Sequence, residues 1–138
     1  MRTEAAIALD FGLKRIGVAT SSGGLITARE HLPARAGIPE WGELDRLVRD
    51  YRPEVLVLGC PPEPAPEMSL AMKRFREHLE ERYGLSVETL EEHLTTREAQ
   101  EWLRERRASG KLGRRARKGE VDSLAACLIA RDWHNTPA

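Results

Sequence analysis

The sequence predicts an α/β protein built on one mixed five-stranded sheet, three antiparallel strands followed by two parallel ones, with helices on both faces. Three observations lead there. Within the first 28 residues, three short apolar or β-branched runs are separated by turn-forming residues too few to hold a helix. From Pro39 onward, apolar residues at helical spacing alternate with strand-like runs. Val55-Leu56-Val57-Leu58-Gly59 is apolar at odd and even positions alike, the pattern of a central parallel strand covered from both sides.

Taken in order, Ala5-Ala6-Ile7-Ala8-Leu9 is a buried strand that stops at Asp10 and turns at Gly12, which places Asp10 at the strand's carboxyl end. Ile16–Thr20 is the second strand and, after Ser21-Ser22-Gly23-Gly24, Leu25–Ala28 is the third. Pro39 opens a helix with Trp41, Leu44, Leu47, Val48 and Tyr51 on its buried side, and Pro53 ends it. Pro61, Pro62, Pro64 and Pro66 form a stiff loop. A helix from about Glu67 to Tyr83 buries Leu70, Phe75 and Leu79 and stops at Gly84. Val87 and Leu90 lie in a short strand that ends in Glu91-Glu92. Thr95 or Thr96 followed by Glu98 starts a helix with Ala99, Trp102 and Leu103 inward. A basic loop follows, and Val121 to Trp133 is a final buried helix with Asp122 in its first turn.

The 138 residues and 41% apolar content fit a single domain, 1–138, with one core. No apolar run approaches the roughly 18 residues of a membrane span, so no membrane partner is expected. Met1-Arg2-Thr3-Glu4 does not resemble a signal peptide, and the expected location is the cytoplasm. Cys60 and Cys127 match no zinc or redox spacing and are expected as buried thiols.

Twenty-two cations balance 22 acids, and the formal net charge is zero. That neutrality is a cancellation. Residues 104 to 118 hold eight basic residues and one acid, a net +7, and the rest of the chain carries −7. A run of this kind is either a solvated loop, which Gly110 and Gly113 support, or a grip for phosphates, which guanidinium groups hold two oxygens at a time.

In a mixed sheet of this order, sites gather at the carboxyl ends of the parallel strands. Asp10, the Glu91-Glu92 pair and Asp122 all fall near that edge. Carboxylates converging in a low-dielectric site repel one another, and a divalent cation relieves the repulsion. An all-oxygen set suits Mg²⁺ or Mn²⁺ rather than zinc. Such ions bind the attacking water and the leaving oxygen of a phosphodiester, which gives hydrolysis without a protein nucleophile. Each acid taken alone reads as an ordinary cap or solvated end; together they point to metal-dependent hydrolysis. His31, His78, His93 and His134 lack the surroundings of a Ser-His-Asp or Cys-His centre.

Three segments carry a family resemblance: Asp10-Phe11-Gly12-Leu13-Lys14-Arg15-Ile16-Gly17-Val18-Ala19, Leu94-Thr95-Thr96-Arg97-Glu98-Ala99, and Gly119-Glu120-Val121-Asp122-Ser123-Leu124-Ala125-Ala126. In this order they resemble the YqgF/RuvX family of bacterial ribonuclease H-like nucleases, from about Ala6 to Trp133. The resemblance implies a ribonuclease H-like fold, metal-dependent cleavage of nucleic acid, and maturation of the 5′ end of small-subunit (16S) ribosomal RNA, with ribosomal particles as further partners. It assigns Asp10 as the first-strand metal ligand, Glu92 as the acid of the family's Asp-Glu-Arg motif, and Asp122 as the last-helix ligand. Two departures stand out. Gly59-Cys60-Pro61 and the proline cluster replace Gly-Leu-Pro and an Asn- and Gly-containing loop, and Glu91-Glu92-His93 replaces Asp-Glu-Arg. Both faces of the sheet are covered, so strand alternation in the sequence does not separate Glu91 from Glu92. His93 is read as a substrate-binding or proton-donating auxiliary, or simply as a polar strand end.

Lys14 and Arg15, in the turn after Asp10, and Arg114, Arg115, Arg117 and Lys118, just before the Asp122 helix, are the candidate phosphate-binding cations. Four readings follow. The first is a metal-dependent nuclease acting on ribosomal RNA precursor. The second is a Holliday junction resolvase that cuts branched DNA as a dimer; the chain is expected as a monomer or homodimer. The third is a catalytically impaired RNA- or ribosome-binding protein. The fourth, a phosphate loop of the actin and sugar-kinase type, needs two such domains and finds room here for one.

Overall fold

The computed structural model describes residues 2–23, 25–91, 101, 105 and 123–137. Their strands form one sheet in the order β4-β3-β2-β1-β5-β6. At its centre is β1 (Ala6–Asp10), antiparallel to β2 (Arg15–Ser22) and parallel to β5 (Val55–Cys60), which is in turn parallel to β6 (Ser86–Glu91). Three antiparallel strands followed by two parallel ones are thus present as expected, in a ribonuclease H-like arrangement. β3 (Leu25–Arg35) is longer than the expected Leu25–Ala28, and it pairs with a sixth strand that the sequence does not suggest, β4 (Ile38–Pro39).

Pro39 therefore ends an edge strand rather than opening a helix, and α1 (Trp41–Tyr51) begins two residues later. A proline has no N–H to give to a ladder, which an edge position tolerates and which blocks further pairing there. The turn between β3 and β4 is made by Ala36 and Gly37, both at positive φ, 52° and 81°. Such a pair matches the right-handed twist of the strands it joins.

The two faces of the sheet carry different side chains. Ile7 and Leu9 of β1, Val18 of β2 and Leu56 and Leu58 of β5 pack against α1 and α2 (Pro66–Tyr83). Ala6 and Ala8 of β1, Ala19 of β2 and Ala28 of β3 form a small-residue floor under α3 (Leu124–His134). α3 brings Leu128, Ile129 and Trp133 onto that floor, each at most 2% exposed. Helices therefore cover both faces, as the apolar runs predict.

The helix ends follow local chemistry. α1 stops at Arg52, whose φ of 52° and N–H to the Val48 carbonyl close its last turn. α2 has Pro66 at its start, where no N–H is needed, and the left-handed Gly84 after its end. Its buried stripe is Met72, Phe75 and Leu79. The expected Leu70 is instead 51% exposed. Leu70 and Phe75 are five residues apart, about 140° around the helix, so one face does not bury both. α1 and α2 are joined by Trp41 against Phe75, at 5.8 Å between ring centroids, and by Asp45. Asp45 accepts from Arg82 Nε and Nη2 at 2.7 and 2.6 Å and from the Tyr83 hydroxyl at 2.7 Å. These donors, Arg82 first, hold its carboxyl down at about 2.

The chain termini are stapled together. Arg2 donates its N–H to the His134 carbonyl at 3.0 Å, pairs with Glu88 at 2.8 Å and lies over the Trp133 ring. His134 Nδ1 is 2.6 Å from the Arg2 carbonyl, so Nδ1 carries the proton and Nε2 accepts from the Ser21 hydroxyl. Cys127 is buried and Cys60 half-buried, and neither is in a disulfide.

The helix expected from Thr95 lies outside the described residues except at Glu101 and Glu105, which are helical. Glu105, assigned by the sequence to the basic loop, is therefore in a helix; Glu and Arg favour helix, and the first breaker in that stretch is Gly110. Among the described residues no helix is long and apolar enough to cross a membrane.

Trp133 fills the centre of the α3 layer and donates to Glu88 at 3.4 Å. Trp133→Ala is expected to lower stability by about 3–5 kcal/mol. Urea unfolding followed by circular dichroism checks this; a loss below about 1 kcal/mol would contradict the packing described.

Candidate active site

Asp10 ends β1, and its neighbours across the sheet are glycines: Gly17 on the antiparallel side and Gly59 on the parallel side. The row continues to Leu90 of β6. Residues aligned in one row share a face, so Asp10 stands on the side of Ala6, Ala8 and α3. Gly59 has a direct reason to be glycine, since a Cβ built there would collide with the Ile129 side chain. The row of small residues is thus what lets α3 lie close, and it leaves the Asp10 carboxylate without flanking side chains.

Asp10 is partly buried and forms no hydrogen bond or ion pair among the described residues. Burial without a compensating partner pushes its carboxyl up from 3.8 to about 6. It opens into a cavity of about 270 Å³ that it shares with Arg15, Gly17 and His31. Arg15, the exposed first residue of β2, thus stands on the same cavity as Asp10. Lys14 is exposed on the same turn and is not among the described residues lining this cavity.

His31 is a residue that the sequence reading set aside. It reaches the cavity because the pairing of β2 with β3 shifts between Ile16 and Val18, so that two β2 steps face three in β3. This bulge sits opposite Gly17. A glycine inside a strand is a known marker of a bulge or a close approach, and Gly17 was the signal available.

Ser123 fixes the start of α3. It is fully buried, its carbonyl takes the first helical bond from Cys127 at 3.1 Å, and its hydroxyl accepts the Val18 N–H at 2.8 Å. A residue in the N-cap position normally turns its side chain to its own helix. Here the hydroxyl goes to β2, one residue from Gly17, and clips the helix to the strand beside Asp10.

On the opposite face, Glu91 ends β6 and lines a separate cavity of about 410 Å³ with Cys60, Pro61, Met72 and Arg76. Leu90, by contrast, packs with the α3-side core. Glu92, His93, Arg114, Arg115, Arg117, Lys118 and Asp122 lie outside the described residues. Among the described residues no three His, Cys, Asp or Glu side chains come together as a metal cage.

The fold is of the ribonuclease H-like class, and the family and relatives that the chain matches are those of nucleases. Residues 4–136 match the family model RuvX, described as Holliday junction resolvase, and the chain belongs to the RuvX family. A relative from Hahella chejuensis, named "Putative pre-16S rRNA nuclease", is 36% identical over 132 residues, 92% of this chain and 81% of the relative. One of the same name from Legionella pneumophila is 34% identical and covered to 92% on both sides. Among solved structures, Thermus thermophilus RuvC in complex with a Holliday junction substrate shares the fold at a TM-score of 0.58 and 15% identity, over 94% of each chain. A second RuvC structure from that organism gives 0.54 at 18% identity, over 97% of this chain and 99% of that one.

Two outcomes are expected. Because the folded pKa of Asp10 is raised, the folded state holds a proton that the unfolded chain releases between about pH 4 and 6. Stability therefore falls as pH rises through that window, and above it the charged form carries the full cost. Asp10→Asn in EDTA is expected to be more stable than the native chain by up to about 3 kcal/mol at neutral pH and about equal near pH 3.5; urea titrations at the two pH values read the difference. Ser123→Ala leaves the Val18 N–H without its acceptor and is expected to cost about 1–3 kcal/mol, measured in the same assay.

Proposed function

We propose that this chain hydrolyses phosphodiester bonds of precursor 16S ribosomal RNA in the cytoplasm, using Mg²⁺ or Mn²⁺ held by Asp10, Glu92 and Asp122. The observation that carries the reading is the Asp10 carboxylate, partly buried at the end of the central strand, with no protein partner among the described residues and a cation, Arg15, in its cavity. A carboxylate left in this way fits a hard divalent cation, whose charge removes the desolvation cost and whose ligands are oxygens.

The pleat supports Glu92 over Glu91 as the second acid. Leu90 shares Asp10's face while Glu91 takes the other, which leaves Glu91 on the side away from Asp10. Support for Asp122 comes from Ser123, the following residue, which is bound to β2 beside the Asp10 row. Bound at these acids, the metal supplies an activated water and stabilises the leaving oxygen. Arg15 holds the scissile phosphate from the cavity side, and His31 contributes a ring nitrogen to the same space. Lys14 and the cations Arg114, Arg115, Arg117 and Lys118 extend the grip along the backbone by charge. His93 is an auxiliary. The pre-16S substrate rests on the names of the relatives. The second reading, cleavage of a Holliday junction, rests on the family description and uses the same acids on a branched duplex.

Purified protein is expected to cut an RNA spanning the precursor 16S 5′ end with Mg²⁺ or Mn²⁺ and to stop in EDTA. Asp10→Asn and Glu92→Gln are each expected to lower the rate at least about 100-fold, roughly 3 kcal/mol of barrier, while Glu91→Gln stays near native. Full activity in Asp10→Asn removes the proposal. Cutting confined to four-way DNA moves the assignment to the second reading, and metal-independent RNA binding without product moves it to a binding protein.

A further inference from the structure

The proline-rich segment after β5 is a feature that the proposed chemistry does not use. Pro61, Pro62 and Pro64 wall the cavity of about 410 Å³ that Glu91 lines, a volume within the roughly 300–1,000 Å³ of small-molecule sites. Its floor follows from the pleat. Leu58 pairs with Thr89 and Cys60 with Glu91, so these four stand on the α2 face of the sheet, the side away from Asp10. Met72 closes the floor from α2, and Ser69, Lys73 and Arg76 follow a three-and-four spacing along the rim.

The polar groups of this cavity are not those of an anion site. A loop between a strand end and a helix start grips phosphate through backbone N–H groups. Pro61, Pro62, Pro64 and Pro66 have none to give. The loop offers flat, pre-set ring faces instead. Glu91 would repel a phosphate, whereas a heterocycle that both donates and accepts matches a rim of one carboxylate, two hydroxyls and two cations. The walls are fixed in advance. Arg76 reaches Glu80 at 3.0 Å and the Val87 carbonyl at 3.5 Å, and so ties α2 to β6. Lys73 makes no ion pair or hydrogen bond among the described residues.

We infer that this cavity receives an unstacked nucleobase of the strand whose phosphate lies at Asp10, with the proline faces against the ring, Glu91 accepting from it and Lys73 donating to it. The register brings the two places together. Gly59 lies beside Asp10 and Cys60 is the next residue, so the Cα atoms of Asp10 and Cys60 are about 6 Å apart. That is roughly two steps of a stacked strand at about 3.4 Å each. A strand crossing the carboxyl edge of the sheet exchanges the Asp10 face for the cavity at this point. Single-stranded segments are recognised in this way, by bases splayed out of the stack. The inference rests on the proposed function, since it places another part of the same substrate.

Cys60 supplies a readout that needs no cutting. It is half-buried in the cavity while Cys127 is buried, and burial pushes the Cys60 thiol up, so alkylation by iodoacetamide is followed at alkaline pH. The full chain is titrated in EDTA with the RNA spanning the precursor 16S 5′ end, and with the same RNA made abasic at single positions. RNA at about ten times its Kd leaves about one cavity in ten open and is expected to slow Cys60 alkylation about tenfold. One or two adjacent abasic positions are expected to weaken binding about tenfold and to restore alkylation. Ser69→Trp and Thr89→Trp, at exposed positions on different elements, fill the cavity. Each is expected to lower affinity for the intact RNA about tenfold and to make binding indifferent to the abasic position. Alkylation unchanged by saturating RNA overturns the inference and leaves the nuclease reading standing. So does a scan with no sensitive position, or one whose effect persists in both tryptophan variants. Protection without cutting under any metal upholds the cavity and removes only the hydrolysis. A chain that binds neither RNA nor four-way DNA removes both.

Discussion

The close approach of α3 to the sheet is the constraint from which the rest of the molecule follows. Ala6, Ala8, Ala19 and Ala28 pave the face that it covers, and Gly59 yields to Ile129 where a methyl group would collide. Dispersion and apolar burial reward this contact only at full packing density. Any larger residue in the paving would lift the helix. Because α3 is seated so low, Ser123 reaches the Val18 N–H and fixes the helix start beside the strand end that carries Asp10.

The same paving creates the electrostatic problem on which the proposed function rests. Asp10 extends the row of small residues and has glycines on either side, so neither neighbouring strand offers it a donor. The fold thereby keeps a carboxylate partly desolvated and raised to about 6, at a cost in stability that, in the proposed reading, a bound cation would offset. Bulk is concentrated on the other face instead. There the larger aliphatic side chains and the Trp41-Phe75-Tyr83 aromatics hold α1 and α2, and the Asp45 clamp ties the two helices together.

Much of this was legible in the chain. The runs of Ile7 to Leu9 and Val55 to Leu58, apolar at both parities, required a sheet covered from both sides, and an abrupt acid after the first run placed Asp10 at the edge where sites form. Legibility failed where the decisive contact is distant in sequence. Leu70 looked like part of a buried stripe until the pairing of Met72 and Phe75 with the sheet set the rotation of α2. Pro39 looked like a helix start because its role as an edge residue depends on Ala34 and Arg35 lying alongside. His31 was passed over because the bulge that brings it to Asp10 belongs to two strands at once.

By itself, then, the sequence determined the three antiparallel and two parallel strands, the two-sided burial of the central strands, Asp10 at the end of the first strand and the family to which the chain belongs, all of which are encoded in local periodicity and short motifs. Only the tertiary structure decided which face each end residue takes. The register of β6 against β5 sets Glu91 on the α2 side and the Leu90 row on the side of Asp10, and the height of α3 over the alanine floor decides what stands next to that carboxylate. Both are settled by the fit of side chains on separate elements, and no local pattern records that fit.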